Sequence, residues 1–321
     1  MKPDISRKTI LLAVLNLAAA ASIGIIAGLM YKGASGAKPA EDDNLRERIA
    51  ALAGTVDADT GVAVIFPDGD TLTFTGGDRK GYPMLSVFKF HQALAVCDSL
   101  RRAGTSLDRK IKVTREQLHK DTWSPLRDKY PDGGSFTYRE LLEYTLVQSD
   151  NNACDILFAA LSGPSGTESY IRSLGFTDVS IGCTEDMMHR DLQNCYRNST
   201  TPLSAARLME WFHGMRSSDS YFSFLWETMS GCATGQARIP AYISGKAAAI
   251  AHKTGTGDTL PDGRIIGVND IGIVELPDGR HFAIAVFVSD AAATLRECEE
   301  LIARITEAVY SYVGNGSRRP V

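Results

Sequence analysis

Strand-like segments sit toward both ends of this chain and are missing from its middle. "GVAVIFPDGDTLTFTGG", residues 61–77, reads as a hairpin of two β-rich runs about the turn "PDGD". Comparable signals return only after residue 248, in "AIAHKTGTG", "GVNDIGIVELPDG" and "RHFAIAVFVSD", the last two joined through another "LPDG" turn. The residues between carry helical periodicity in "FTYRELLEYTLVQ", "NNACDILFAAL", "TPLSAARLMEWFHGM" and "SYFSFLWETM". A sheet whose strands come from both chain ends needs those ends to meet in space, with the helical block inserted between them. The expectation is an α/β lobe of residues 38–83 and 232–321 and an all-helical lobe of residues 84–231. Helices over "DDNLRERIAALAG" (42–54) and "AAATLRECEELIARITEAVYSYV" (291–313) flank the sheet. A junction between lobes is a common place for a binding cleft.

The N-terminus carries a separate signal. Lys2, Arg7 and Lys8 precede an uncharged apolar run from Thr9 to Tyr31, which Lys32 closes. A positive flank followed by such a run marks export. Its 23 residues are also enough to span a bilayer. Small residues in "GASGAKPA" suit cleavage near Ala37, so a cleaved signal over residues 1–37 is preferred to an anchor through residues 9–31. Either way the globular part lies outside the cytoplasm, periplasmic or secreted. The net charge of −4 and the lack of a basic run exclude nucleic acid as a partner. The six histidines show no metal-ligand spacing such as H-E-x-x-H, so neither metal nor other cofactor is expected, and the chain is read as a monomer. The six cysteines are scattered, and buried free thiols are their simplest reading. Cys183 and Cys195 flank one loop-like stretch and leave a bridge open.

Three short motifs carry the chemistry. In "MLSVFKFHQALAV", residues 84–96, Ser86 stands at the mouth of an apolar helix with Lys89 three residues on, one turn along the same face. A serine is a poor nucleophile unless a base or a positive field activates it, and a helix N-terminus with a nearby ammonium offers both. Alone, this pair reads equally as a capped helix with a snorkelling lysine. The second motif is Ser149-Asp150-Asn151, in a turn between helical segments, where Ser149 can relay a proton and Asn151 can hold an amide. The third is Lys253-Thr254-Gly255-Thr256-Gly257, at the end of a β-like run. Glycine in a strand marks close approach of another backbone or a ligand, and a lysine with two hydroxyls beside it suits a carboxylate. The first two motifs lie in the helical block and the third on the returning sheet, so all three can converge on the interlobe cleft.

In this order, "SVFK", "SDN" and "KTG" resemble the signature motifs of the penicillin-recognising serine acyltransferases, over residues 42–313. The resemblance implies a β-lactamase/transpeptidase-like fold, an antiparallel sheet with terminal helices and an inserted helical lobe. It makes Ser86 the nucleophile acylated by a β-lactam, with the backbone N–H groups of Ser86 and Thr256 as the oxyanion hole. Lys253, Thr254, Gly255 and Thr256 become substrate-binding residues.

Within that group the chain is most similar to the class A β-lactamases. Glu185, in "GCTEDMMHRDLQNCYRNSTTP", resembles the omega-loop glutamate that activates the deacylating water. The loop departs from the usual pattern. His189 stands where most members have an asparagine, and Cys183 and Asn198 replace the Arg–Asp pair that ties the loop. A subgroup with extended activity on cephalosporins is similar here, including the histidine and the spacing of Tyr196 and Asn198. Trp123 matches an aromatic at the cleft rim. Arg238 matches an alternative origin for the arginine that pairs with the substrate carboxylate, since the usual strand position reads "VNDIG" with Asn269 and Asp270. Leu85 and Gly257 exclude the cleft disulfide of some carbapenem-hydrolysing relatives. The expected function is hydrolysis of cephalosporins and penicillins, giving resistance. A D-Ala-D-Ala peptidase and a membrane-anchored β-lactam sensor remain as alternatives, and Lys89 and Glu185 both remain open as the acylation base.

Overall fold

The computed structural model describes residues 40–317. Helix α1 (Ala40–Ala53) leads into strands β1 (Asp59–Ile65) and β2 (Thr71–Thr75). The chain returns to the same sheet only at β8 (Ala249–Thr256), β9 (Ile265–Glu275) and β10 (His281–Ala291), and closes with α10 (Leu295–Tyr312). The five strands run in the order β2-β1-β10-β9-β8, each antiparallel to its neighbours. Strands from both chain ends therefore interleave, with β1 paired to β10 from Asp59↔Ser289 to Ile65↔Ala283. Strand β8 lies at the edge, with one side of its backbone unpaired within the sheet.

Both sheet faces are buried, which is why β9 and β10 are almost continuously apolar. On one face, Val62, Val64, Ile284 and Val286 pack with Leu45 and Ile49 of α1 and Leu301 and Ile305 of α10. A Thr294/Glu297 capping box starts α10, whose apolar stripe repeats at helical spacing against that face. On the other face, Ala63, Ala283 and Ala285 meet Ala205, Leu208, Met209 and Phe212 of α8 (Pro202–Met215). The alanines let α8 approach closely.

The central segment is not purely helical, which corrects the reading of residues 84–231. It contains α2 (Phe88–Arg102), α3 (Pro125–Lys129), α4 (Tyr138–Val147), α5 (Asn151–Ala159), α6 (Pro164–Ser173), α7 (Glu185–Arg190), α8 and α9 (Ser220–Ser230). It also holds a hairpin of β4 (Lys110–Thr114) with β5 (Gly133–Thr137), and the strands β6 (Val179–Ile181) and β7 (Asn198–Thr200), where β7 pairs both β6 and β3 (Tyr82–Pro83), the latter just ahead of the segment. These strands are two to five residues long, too short for a period-two pattern to stand out. Nor does this segment have a core of its own, because α8 shares one apolar cluster with the sheet and with α2. The apolar run at residues 9–31 lies outside the described residues. Among those described, no helix is long and apolar enough to cross a membrane. All six cysteines are buried and unpaired, so Cys183 and Cys195 form no bridge.

Candidate active site

Ser86 sits in a 3-10 turn, Leu85–Val87, and α2 begins only at Phe88, so the serine stands just ahead of the helix and does not cap it. Leu85, immediately before it, has φ +48°, in the left-handed region that a branched side chain avoids. Two contacts hold this strained turn. Asn269 of β9 donates its amide to Pro83 O at 2.8 Å and Met84 O at 3.3 Å. Gly255 of β8 lies so close that a Cβ there would stand 2.4 Å from Met84 O. The glycine of the third motif thus lets the edge strand lie directly against the serine turn.

The turn places Ser86 Oγ 3.3 Å from Glu185 Oε1, at the start of α7. The serine's hydrogen bond therefore runs to the carboxylate, not to Lys89. Lys89 is fully buried and its ammonium is shared by four oxygens. These are Asn151 Oδ1 at 2.5 Å, Ser149 O at 2.8 Å, Glu185 Oε1 at 2.9 Å and Ser149 Oγ at 3.5 Å. Lys253, also fully buried, donates to Ser149 Oγ at 3.0 Å and to Thr254 O at 2.9 Å. Ser149 Oγ is thus a bridge between two ammonium groups. Its backbone is also left-handed, at φ +56°. Strain of this kind persists only where the surroundings over-determine it, as the two lysines do here.

Asp150 turns away from the cleft. It caps α5 through Ala153 N at 2.8 Å and takes Leu126 N at 2.7 Å and Ser124 Oγ at 3.0 Å. It so fixes the loop that bears Trp123. That indole is 62% exposed at the rim and donates to Gln148 O. A cleft of about 510 Å³ opens between these elements, bordered by Ser86, Asn151, Glu185, Trp123, His189 and Thr256.

Two binding residues of the sequence reading stand elsewhere. Thr254 is 4% exposed and its hydroxyl is bonded to Thr234 Oγ1 at 2.6 Å, away from the cleft. Arg238 is 3% exposed, with its guanidinium spread over Gly255 O, Asn269 O, Glu299 Oε1 and Thr256 Oγ1, the last at 2.6 Å. It reaches the cleft through the Thr256 hydroxyl. Strand alternation explains Thr254, because its neighbours Lys253 and Gly255 face the serine turn.

Other residues support this arrangement, and of these Asp155 had escaped the sequence reading whereas Asn198 and Asp270 had been noted there. Asp155, one turn after Asn151 on α5, accepts from Glu185 N at 2.8 Å and Asp186 N at 2.9 Å and so anchors α7. Burial, followed by the nearby Glu185 charge, raises its carboxyl to about 7. Asn198 ties the loop in place of an ion pair. Its side-chain oxygen takes Gly182 N and Cys183 N, and its amide donates to Cys183 O, each at 2.9 Å. Behind β8, Asp270 meets His252 Nδ1 at 3.0 Å, and Cys232, whose thiol is bonded to Thr234, feels the charge of the same imidazole. Burial opposes the His252 charge, but Asp270 outweighs it and holds the ring up to about 10. Burial likewise opposes a Cys232 thiolate, but His252 outweighs it and brings the thiol down to about 7. Burial lowers Lys253 to about 8, and Cys232 leads the opposing influences. The legible signal was the polar pair Asn269-Asp270 inside an apolar strand, since buried polar groups need partners.

A serine hydroxyl with a carboxylate in reach, two buried ammonium groups bridged by a second hydroxyl, and an edge strand along the cleft form an arrangement suited to serine acyl transfer. The family model for the β-lactamase enzyme family matches residues 44–313. A β-lactamase of Bacteroides uniformis is 39% identical over 273 residues, 83% of this chain and 90% of the relative. The extended-spectrum β-lactamase PER-1 of Pseudomonas aeruginosa is 33% identical over 88% of this chain and 92% of its own length. The crystal structure of a β-lactamase from Chitinophaga pinensis superimposes with a TM-score of 0.80 at 40% identity, covering 84% of this chain and 99% of that one. The chain belongs to the β-lactamase enzyme family, as a class A enzyme whose activity is hydrolysis of the β-lactam amide.

Proposed function

We propose that Ser86 Oγ attacks the lactam carbonyl and that Glu185 activates the water which later frees the serine. As the C–N bond breaks, the proton lost by Ser86 reaches the lactam nitrogen through Ser149, the hydroxyl both lysines share. Water then adds to the ester carbonyl and gives its proton to Glu185. The serine leaves with a proton, and the opened acid departs. The backbone N–H groups of Ser86 and Thr256 receive the oxyanion. Lys253 and the Thr256 hydroxyl meet the substrate carboxylate, Arg238 orients that hydroxyl, and Asn151 takes the substrate's side-chain amide. Trp123 and His189 border the outer cleft, where a β-lactam's variable groups extend.

The observation that carries this reading is the Glu185 carboxylate, within 3.3 Å of Ser86 Oγ. A peptidase trapped by β-lactams, or a sensor, has no use for a base at that point. The likeness to an extended-spectrum enzyme supports cephalosporins and penicillins as substrates, and export through residues 1–37 would put the enzyme where those drugs enter. The test is nitrocefin turnover followed by intact-mass spectrometry. Steady-state hydrolysis with a transient adduct is expected. A stable adduct on Ser86 with no turnover would overturn the reading.

A further inference from the structure

Far from Ser86, at the opposite end of the sheet, four metal-ligating side chains converge without a role in the reaction above. Glu210 and His213 are three residues apart on α8 and share a helix face. His281 and Glu275 are directly opposite one another where β10 pairs with β9, so their side chains leave the same sheet face. Packing α8 on that face brings the two pairs together. One ligand atom from each of Glu210, His213 and His281 lies within 4.8 Å of the others. Glu275 Oε1 stands 2.7 Å from His213 Nε2, and Glu210 Oε1 stands 2.9 Å from His281 Nε2. The imidazole centroids are only 3.9 Å apart.

We propose that Glu210, His213, Glu275 and His281 form a zinc-binding site that clips α8 to the β9–β10 hairpin. Imidazole nitrogen with carboxylate oxygen suits a borderline divalent ion. Tetrahedral bonds of about 2.0–2.1 Å set neighbouring ligand atoms about 3.3 Å apart, so modest side-chain turns close the cluster around one ion. Two carboxylates neutralise the dication. Arg216, 3.4 Å from Glu275, works against it and leaves Glu275 the weakest of the four ligands. The ligands stand on a helix and two paired strands, elements stiff enough to hold a geometry. The His281, Glu275 and Glu210 side chains are 24%, 24% and 36% exposed, which gives the ion a way in. The seven steps along β8 from Ala249, opposite Glu275, to Thr256 at the cleft measure about 23 Å. The ion therefore acts on stability and not on the chemistry.

The test uses the full chain, purified without an added histidine tag and stripped with chelator, then titrated with zinc chloride. One zinc per chain is expected by equilibrium dialysis, with a melting temperature that rises and saturates. Cobalt should give the intense visible bands of a tetrahedral site. His281→Gln and Glu210→Gln, at partly exposed positions, should each remove the binding and the thermal shift while nitrocefin turnover stays parental. No zinc bound by the parent, or equal binding by parent and variants, which would place the ion on cysteines, overturns the proposal.

Discussion

Replacing Glu185 by glutamine keeps its shape and one oxygen for Lys89 but removes the negative charge paired with that buried ammonium. The carboxylate is 2.9 Å from Lys89 Nζ and 3.3 Å from Ser86 Oγ, so the substitution takes away the proposed general base and leaves the proposed nucleophile and its ammonium neighbour in place. General-base catalysis contributes roughly 10²–10⁴-fold. At 1.36 kcal/mol per tenfold, deacylation loses about 2.7–5.4 kcal/mol of transition-state stabilisation. If Lys89 is the acylation base, ester formation continues. Stopped-flow nitrocefin hydrolysis of Glu185→Gln then shows a burst of one equivalent followed by a slow phase. Intact-mass spectrometry shows nearly every chain carrying the adduct. If Glu185 also draws the proton from Ser86, the burst itself slows and the adduct builds up gradually. Glu185→Asp, with the carboxylate one methylene shorter, should recover part of the slow phase. Parental turnover by Glu185→Gln with no adduct would refute the reasoning, because the carboxylate that, among the described residues, is bonded to Ser86 would then be idle.

Other outcomes follow from the supporting residues. Asn198→Ala leaves two N–H groups and a carbonyl at Gly182 and Cys183 without their partner, at about 1–3 kcal/mol for each one left unsatisfied. It should lower the melting temperature and speed hydrogen exchange across residues 182–198, and exchange unchanged there would count against the tie. Gly255→Ala forces a Cβ to 2.4 Å from Met84 O, and overpacking of this kind costs roughly 1–3 kcal/mol. Nitrocefin turnover should collapse even where circular dichroism shows a folded chain, and parental activity would contradict the close approach. The charged form of Lys253, proposed above to meet the substrate carboxylate, is present below about 8 and is lost above it. The profile of kcat/KM should therefore fall on its alkaline side near that pH. Cys232→Ser removes the leading influence that raises Lys253 and should move the fall to lower pH, whereas an unmoved limb would separate the thiol from the lysine. Thiolate absorbance near neutral pH should vanish in the same variant, because burial pushes Cys97, Cys154, Cys183, Cys195 and Cys298 upward.

The antiparallel sheet, its flanking helices and the three motifs were legible because each depends on residues near in sequence. The "PDGD" and "LPDG" turns, the apolar strands and the short spacing within Ser86–Lys89, Ser149–Asn151 and Lys253–Thr256 are local patterns. Glu185 was legible only through resemblance, since a loop glutamate is ordinary by itself. What the tertiary structure alone decided are pairings across long separations. The Ser86 hydrogen bond runs 99 residues to Glu185, and Lys253 reaches 104 residues back to Ser149. Arg238 turns inward to carbonyls on β8 and β9 and only touches the cleft through Thr256. The histidine spacing gave no sign of a metal site, because its ligands come from a helix turn and a strand pair 71 residues apart, joined only when α8 packs on the sheet. Local periodicity names the face a side chain takes on its own element. Only the packing of elements, set by buried apolar area over the whole chain, decides which faces meet.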